Sequence, residues 1–203
     1  MAKEGRESAG GIDGIAAAAS AARRRGPPPL DAWNPPFCGD IDMRIAADGT
    51  WFYQNSPIGR PALVRLFASV LKKEGERHVL VTPVEKVGIR VDDAPFVAVA
   101  MAVEQRNGLR TLVFRTNVDD EVTCDAEHPL RFVPQPGDEV PAPYIRVRGD
   151  LQAKVARAVF YDLVALGEER EVDGRMMFGV ASAGIFFSLA TMESLADSLE
   201  DGI

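Results

Sequence analysis

The sequence predicts an α+β protein made of two small subdomains with mostly antiparallel sheets. Apolar runs of strand length cover residues 78–82, 87–91, 96–103 and 109–116, and turn residues separate them, as is typical of strands. The dipeptides Asp48-Gly49 and Asn107-Gly108 each stand between two such runs. They predict hairpins, because a type I′ turn needs positive φ at both central positions. Helical spacing of apolar residues appears only near residues 59–74 and 150–166.

The first predicted helix, at residues 59–74, has Pro61 in its first turn and Gly75 just after its end. The second, at residues 150–166, is closed by Gly167. Their apolar positions are Leu63, Leu66, Phe67, Val70 and Leu71 in the first helix, and Leu151, Val155, Val159 and Leu163 in the second. We predict further strands at residues 144–147, 176–181 and 185–189, the last two joined by Ala183-Gly184.

The order strand–helix–strand–strand occurs in both halves of the chain and predicts a structural duplication. Arg60 opens the first helix of this pattern and Arg148 precedes the second. The alternative is that an α+β chain of this length shows such an order without any duplication.

Chain length and composition predict two domains flanked by tails. The 203 residues exceed the roughly 100–150 that a single core commonly holds. We expect a disordered or loosely helical tail at residues 1–29, because it is rich in Ala and ends in an Arg run and three prolines. The N-terminal α+β subdomain then covers residues 30–92, the C-terminal one residues 93–192, and a second tail residues 193–203.

Charge and cysteine content exclude some classes of protein. A net charge of −7 argues against binding nucleic acid through phosphate contacts. No run approaches the ~18 apolar residues that a membrane helix needs. The two cysteines, Cys38 and Cys124, fit a reducing cytoplasm better than a disulfide framework. We therefore expect a cytoplasmic protein that contacts neither nucleic acid nor membrane.

Common catalytic and metal-binding motifs are missing from the sequence. It contains no Gly-x-Ser-x-Gly elbow, P-loop or dinucleotide fingerprint. Cys124 and His128 are close in sequence, but zinc needs three or four ligands at defined spacing. We predict no metal and no cofactor. An enzyme that uses Asp40 or Glu85 as a general base stays open as an alternative, although carboxylates at turns are usually solvated.

The sequence offers two arginines for recognising an anion. Arg60 lies in the first turn of the first predicted helix, and Arg148 lies just before the second. Helix N-termini offer free backbone N–H groups to phosphate or carboxylate, and arginine adds a forked donor. The alternative for each arginine is an ordinary ion pair with a local carboxylate.

Aromatic and polar side chains complete the predicted ligand site. Trp51 stands on the hairpin that leads into Arg60 and, like Tyr144, is a candidate to contact a base or ribose. The alternative for Trp51 is a place in the core. Thr82 and Glu85 would orient polar groups of the ligand. Ser182 lies at the last predicted hairpin, which either brings backbone N–H groups close to the ligand or only makes the turn.

Several segments of the chain together resemble one bacterial family, catalogued as domain of unknown function 1285. The resemblance runs from about Pro36 to Leu189, in order and without large gaps. Its segments are CGDIDMRIAADGTWFY, SPIGRPALVRLFASVL, LVTPVEKVGI, DAPFVAV, DAEHPLR, PYIRVRGDLQAKVARAVFYDLV and FGVASAGIFF. One departure is Ala181, where the family often has a bulkier residue, so an aromatic contact on that side is in doubt.

Membership of this family implies a two-part α+β protein with an internally duplicated motif. It also implies a C-terminal half that is pleckstrin-homology-like in outline, a ligand site between the halves, and a role in signal transduction. The leading hypothesis from the sequence is a non-enzymatic module that binds a small anionic, nucleotide-like ligand. The alternatives are an enzyme acting on a nucleotide or related metabolite and a protein-interaction module.

Overall fold

The computed structural model divides into two compact units, Met1–Asp93 and Ala94–Ile203. It describes residues 11–23, 28–135 and 140–193, so most of the predicted C-terminal tail and parts of the predicted N-terminal tail lie outside the described residues. Strands dominate both units. The helices are few and short, and the sheets are antiparallel apart from one parallel strand pair in each unit.

The N-terminal unit contains two α-helices, one short 3-10 helix (Leu30–Ala32) and six strands in its described residues. In chain order the α-helices and strands are α1 (Ile12–Arg23), β1 (Phe37–Ile45), β2 (Trp51–Tyr53), β3 (Ser56–Pro57), α2 (Pro61–Ser69), β4 (Leu71–Glu74), β5 (Arg77–Val81) and β6 (Lys86–Val91). The six strands form one sheet in the order β3-β2-β1-β6-β5-β4, which we call sheet A. Its central pair, β1 and β6, is parallel.

Helix α2 covers the core of the N-terminal unit. Phe67 on α2 is fully buried and stacks on Trp51 of β2, with ring centroids 6.3 Å apart. Helix α1 packs against α2 in turn. Its Ile15 and Ala19 are fully buried because residues four apart share one helix face. The segment predicted as a disordered or loosely helical tail thus contains a packed helix at residues 12–23.

The C-terminal unit contains nine strands and one helix in its described residues. In chain order they are β7 (Phe96–Arg106), β8 (Leu109–Thr116), β9 (Glu121–Thr123), β10 (Leu130–Val133), β11 (Ala142–Arg148), β12 (Leu151–Val155), α3 (Arg157–Ala165), β13 (Glu168–Val172), β14 (Arg175–Ser182) and β15 (Ile185–Thr191). Strands β7–β12 form a six-stranded sheet in the order β10-β11-β12-β7-β8-β9, which we call sheet B. Strands β13–β15 form a separate antiparallel sheet, which we call sheet C.

Both predicted helices are longer than the observed ones. In each case, part of the predicted helix is a strand in the structure. Residues 71–74 form β4 and not the end of a helix, because the chain reverses at Gly75, whose φ is +59°. Residues 151–155 form β12, in which Leu151, Ala153 and Val155 are buried and the residues between them are half-buried. That alternation has the period of a strand, although Leu151 and Val155 also fit helical spacing.

The predicted turns are present, but one has a different geometry. Asn107 and Gly108 both have positive φ, as a type I′ turn requires. At the first hairpin only Gly49 does, and the Gly49 N–H donates to the Ala46 carbonyl at 2.9 Å. The hairpin therefore has a three-residue loop that ends in a left-handed glycine.

The element order strand–helix–strand–strand is present around α2 and around α3. The two units differ in how these strands are arranged in sheets. In the N-terminal unit the strands on both sides of α2 join in sheet A, whereas β12 before α3 joins sheet B and the strands after α3 form sheet C. In the part of the chain that the structure describes, no helix has the length and apolar character needed to span a membrane.

Candidate functional site

A groove in the N-terminal unit has the size of a ligand pocket. Its volume is about 560 Å³, within the range of roughly 300–1,000 Å³ typical of small-molecule sites. Strands β1, β4, β5 and β6 and the turn between β4 and β5 supply its walls. The lining residues are Asp40, Ile41, Glu74, Glu76, Arg77, His78, Ile89, Arg90 and Val91.

The groove lies where the central parallel pair of sheet A is irregular. Between Phe37 and Arg44 the register of β1 against β6 shifts twice. Gly39 has a φ of +99°, a conformation that favours glycine. Bulges of this kind bend a strand and re-aim its side chains. Here they place Asp40 on the wall of the groove.

Gly88 on β6 makes room for the Asp40 carboxylate. A Cβ atom at Gly88 would lie 1.9 Å from Asp40 Oδ1, which is far inside van der Waals contact. The carboxylate therefore lies over the glycine and occupies the space of a missing side chain. Any larger residue at position 88 would push this carboxylate away.

Two guanidinium groups in the groove wall have only long ion pairs in the described residues. Arg77 Nη1 lies 3.9 Å from Asp40 Oδ1, and Arg90 Nε lies 3.6 Å from Asp92 Oδ1. Both distances exceed the length of a hydrogen bond. The Arg77 guanidinium also lies over the ring of Phe37, 4.9 Å from its centroid. Arg77 is thus positioned by an aromatic face and keeps donors for a ligand.

The carboxylates in the groove differ in how closely they are held. Glu74 accepts a hydrogen bond from Lys86 Nζ at 2.8 Å, and Glu76 lies 3.8 Å from Lys73 Nζ. The side chains of Asp40 and Glu76 remain largely exposed. The groove therefore offers donors and acceptors side by side.

His78 adds a titratable ring to the groove. Burial lowers its pKa, and the nearby Lys73 ammonium lowers it further, while Glu76 acts in the opposite direction. Since the shift is downward from 6.5, the ring is neutral at pH 7 and either donates or accepts one hydrogen bond at each nitrogen.

The structure places the predicted residues Arg60 and Trp51 in the N-terminal unit but outside the groove lining. Arg60 is exposed at the N-cap of α2, where its side chain makes no capping hydrogen bond. Trp51 is 1% exposed, and Phe67 stacks on its ring. This position is that of a core aromatic and leaves no open ring face for a base.

Thr82 and Glu85 lie in the short turn between β5 and β6. Thr82 is fully buried, and its hydroxyl accepts a hydrogen bond from the Glu85 N–H and donates to the Glu85 carbonyl, both at 3.2 Å. These bonds close the turn. The neighbouring Lys86 pairs with Glu74.

The other three predicted ligand residues lie in the C-terminal unit. Arg148 Nη1 donates to Asp120 Oδ2 at 2.8 Å, and its guanidinium lies over the Phe96 ring. Tyr144 is 7% exposed, with Lys154 Nζ 5.9 Å from its ring centroid.

Ser182, the last of the three, is fully buried. Its hydroxyl donates to the Cys124 carbonyl at 2.6 Å and accepts from the Leu112 N–H at 2.9 Å. These bonds join sheet C to sheet B, which is a structural role.

The groove thus shares one residue with the sequence-based candidates, the proposed base Asp40. Sequence reasoning missed Arg77, His78 and Arg90. The signal that could have found Arg90 is the alternation of Lys86, Gly88 and Arg90 along an otherwise apolar strand. Among the described residues, no group of three or more metal-ligating side chains is close enough to hold a metal ion.

Comparison with known proteins identifies the family of this chain. Residues 28–94 match the model described as "Domain of unknown function (DUF1285), N-terminal domain", and residues 95–189 match its C-terminal counterpart. No curated protein matches the chain.

Two solved structures of the same family are similar to this chain. A DUF1285 family protein from Silicibacter pomeroyi DSS-3 is 51% identical, with a TM-score of 0.82 over 93% of this chain and all of that one. One from Shewanella baltica OS155 is 26% identical over 62% of this chain and 91% of that one, with a TM-score of 0.49. The chain therefore belongs to the DUF1285 family.

Proposed function

We propose that this protein is a cytoplasmic, non-enzymatic module that binds a small anionic, nucleotide-like ligand in the groove of its N-terminal unit. The observation that carries the proposal is the pairing of two weakly held guanidinium groups with exposed carboxylates in one groove of about 560 Å³. An anionic ligand with hydroxyl or amino groups matches both kinds of group.

Arg77 and Arg90 are the donors for the anionic part of the ligand. A phosphate or carboxylate would replace the long ion pairs of these arginines with short, charge-assisted hydrogen bonds. Arginine suits this role because its planar fork matches the geometry of such groups. The Phe37 ring beneath Arg77 is 44% exposed.

Asp40 and Glu76 are the acceptors for the polar part of the ligand. Ribose hydroxyls and the amino groups of bases donate hydrogen bonds, and ionised carboxylates accept them strongly. His78 supplies one more donor or acceptor. This division of roles favours a nucleotide-like ligand over a simple inorganic anion, which the carboxylates would repel.

The resemblance to the family adds two finer elements to this proposal. One is a role in signal transduction. The other is a duplicated, pleckstrin-homology-like architecture, for which the support is the repeated element order around α2 and α3 and the run of strands that precedes α3. Both stand as expectations of the proposal.

A thermal unfolding screen tests the binding proposal. Ligands specific to the native state stabilise it, by about 2.7 kcal/mol when the concentration is 100 times the dissociation constant. We expect at least one adenosine or guanosine mono-, di- or triphosphate at millimolar concentration to raise the unfolding midpoint. A complete absence of shift across these nucleotides would contradict the proposal.

Two arginine variants test whether the ligand binds in the groove or at the site near Arg60 that the sequence predicts. Arg77→Ala should abolish the nucleotide-induced shift, because it removes the aromatic-supported guanidinium. Arg60→Ala removes the exposed cation at the N-cap of α2. Loss of the shift in Arg60→Ala alone would move the site to that helix. Arg175→Ala, at an exposed position on β14, is the matched control.

The enzyme alternative is favoured by one observation, the place of Asp40 beside Arg77 in the groove. A carboxylate next to a substrate-binding arginine is a candidate general base. If the protein turns over a nucleotide, Asp40→Asn should abolish turnover and should weaken but not abolish the nucleotide-induced thermal shift, because the amide oxygen still accepts a hydrogen bond but carries no charge. Turnover that survives this substitution would exclude Asp40 as the base.

A further inference from the structure

Three charged side chains, Arg44, Asp92 and Arg90, form a cluster beside the groove of sheet A. Arg44 on β1 and Arg90 on the parallel strand β6 are partners in the register of these strands. Asp92 follows two residues after Arg90, and its N–H donates to the Ile45 carbonyl at 2.9 Å. Like charges on adjacent strands repel each other. The Asp92 carboxylate therefore offsets the repulsion between the two guanidinium groups.

Asp92 holds the two arginines unequally. Arg44 Nη1 lies 2.5 Å from Asp92 Oδ2, whereas Arg90 Nε lies 3.6 Å from Asp92 Oδ1, and only the first distance is that of a hydrogen bond. The Arg44 guanidinium also lies over the Phe52 ring, 4.5 Å from its centroid. The Arg44 side chain is 26% exposed and that of Arg90 is 68% exposed. Since solvent screens exposed charges more strongly, Asp92 is bound mainly to Arg44.

Of this cluster, Arg90 alone lines the groove. Arg90 is one of the two arginines that would bind the anionic part of the ligand. A carboxylate bonded to Arg90 would compete with the ligand for the same guanidinium donors. By holding Asp92, Arg44 weakens this competition without lining the groove itself.

We propose that Arg44 is a positioning residue that keeps Arg90 available to the anionic ligand by holding Asp92 away from it. Asp92 is then a built-in competitor of the ligand. The strength of its bond to Arg44 sets the affinity of the groove for anions. This inference rests on the proposed binding of an anion in the groove.

Chemical labelling tests the cluster without a ligand. Phenylglyoxal modifies guanidinium groups, and mass spectrometry of peptides measures the modification at Arg90. In Arg44→Ala, Asp92 is released to pair with Arg90. The labelling rate of Arg90 should then fall about twofold to fivefold, as the strength of an exposed ion pair implies. In Arg44→Ala/Asp92→Asn it should return to the wild-type rate or above. An unchanged rate in Arg44→Ala would overturn the inference.

A second double variant controls for net charge, because Arg44→Ala/Asp92→Asn removes one charge of each sign. Arg44→Ala/Asp48→Asn has the same net charge. Hydrogen bonds from Thr50 lower the pKa of the Asp48 carboxyl most, and the charge of Arg44 lowers it further, so Asp48 also lies within the field of Arg44. Asparagine at position 48 keeps an oxygen to accept the Thr50 N–H. This variant should not restore the labelling of Arg90, and equal restoration by both double variants would contradict the role of Asp92.

Isothermal titration calorimetry with ATP and with GTP, at fixed ionic strength, measures the effect on binding. The affinity should fall about twofold to fivefold in Arg44→Ala and return in Arg44→Ala/Asp92→Asn. In Asp92→Asn alone it should rise above that of the wild type. A residue that only supports the fold would not give tighter binding when it is removed. Weaker binding in Asp92→Asn would overturn the inference.

The two measurements separate this inference from the proposed function. If the labelling of Arg90 changes as expected but neither nucleotide binds to the wild type, the proposed function fails and the control of Arg90 by Arg44 remains. If a nucleotide binds but Arg44→Ala changes neither the labelling nor the affinity, the proposed function remains and the inference fails.

Discussion

Sheets A and B have the same strand order but different central pairs. Numbered from the first strand of each sheet, both follow the order 3-2-1-6-5-4, and strands 1 and 6 are parallel in both. Each sheet is therefore two three-stranded meanders joined side by side. In sheet A the connection between the meanders contains α2, whereas in sheet B helix α3 follows the second meander.

The central pairs of the two sheets differ in packing and in register. In sheet B the residues Phe96, Ala98 and Ala153 of the central pair are fully buried and pair without a register shift. In sheet A the register shifts twice, and charged residues stand at the irregularity. The central pair of sheet B is therefore closely packed, whereas bulges interrupt the central pair of sheet A.

The largest expected effects test whether each sheet depends on its own aromatic core residue. Trp51 in sheet A and Phe114 in sheet B are both fully buried. Replacing either with Ala removes a large side chain from a packed core. We expect each variant to lose about 3–5 kcal/mol of unfolding free energy, measured by urea denaturation.

A conservative variant sharpens this test on the side of sheet A. The Trp51 indole Nε1 is buried without a hydrogen-bond partner in the described residues. Trp51→Phe keeps the aromatic contact with Phe67 and removes this donor, so it should cost clearly less than Trp51→Ala. A loss as large as that of Trp51→Ala would show that the stack with Phe67 is not what stabilises the core.

The sequence predicted the strands and hairpins better than the helix bounds. Apolar runs between turn residues identified β5–β8 because local pattern and burial agree there. The helix bounds failed at Leu71 and Leu151, where apolar spacing fits both periods and long-range pairing decides. Contacts between residues far apart in sequence determine which strands join in one sheet. The local pattern of apolar residues does not reveal these contacts.

The candidate site was less predictable than the fold, for a physical reason. Arginine at a helix N-terminus is a local signal, and it pointed to Arg60. The groove instead depends on two bulges in β1 and on the missing side chain of Gly88. Neither the bulges nor the contact between Asp40 and Gly88 is visible in the sequence, because the two residues are far apart along the chain and adjacent only in space.

A smaller effect concerns a feature of the C-terminal unit, the link between sheets B and C. Ser182→Ala removes the hydroxyl that bonds the Leu112 N–H and the Cys124 carbonyl, leaving both buried groups without that partner. We expect a loss of about 1–3 kcal/mol in urea denaturation. Ser188→Ala, at an exposed position on β15, is the matched control and should be nearly neutral. Equal effects of the two variants would show that the Ser182 bonds contribute nothing net.

The smallest expected effect tests the polarity of the groove in sheet A. Burial and Lys73 hold the pKa of His78 below 6.5 in the folded protein. As the pH falls below that value, the unfolded chain therefore takes up its proton first. Folding stability decreases with falling pH through this window, until the folded state is protonated as well.

The His78→Gln variant should show a flatter dependence of stability on pH between roughly 7 and 5 than the wild type, because it lacks this proton uptake. An NMR titration of the ring protons, assigned with the same variant, should give His78 a pKa below 6.5. A pKa above that value would mean that Glu76 outweighs burial and Lys73 at this ring. The groove would then favour a cationic ligand, which contradicts the proposed binding of an anion on sheet A.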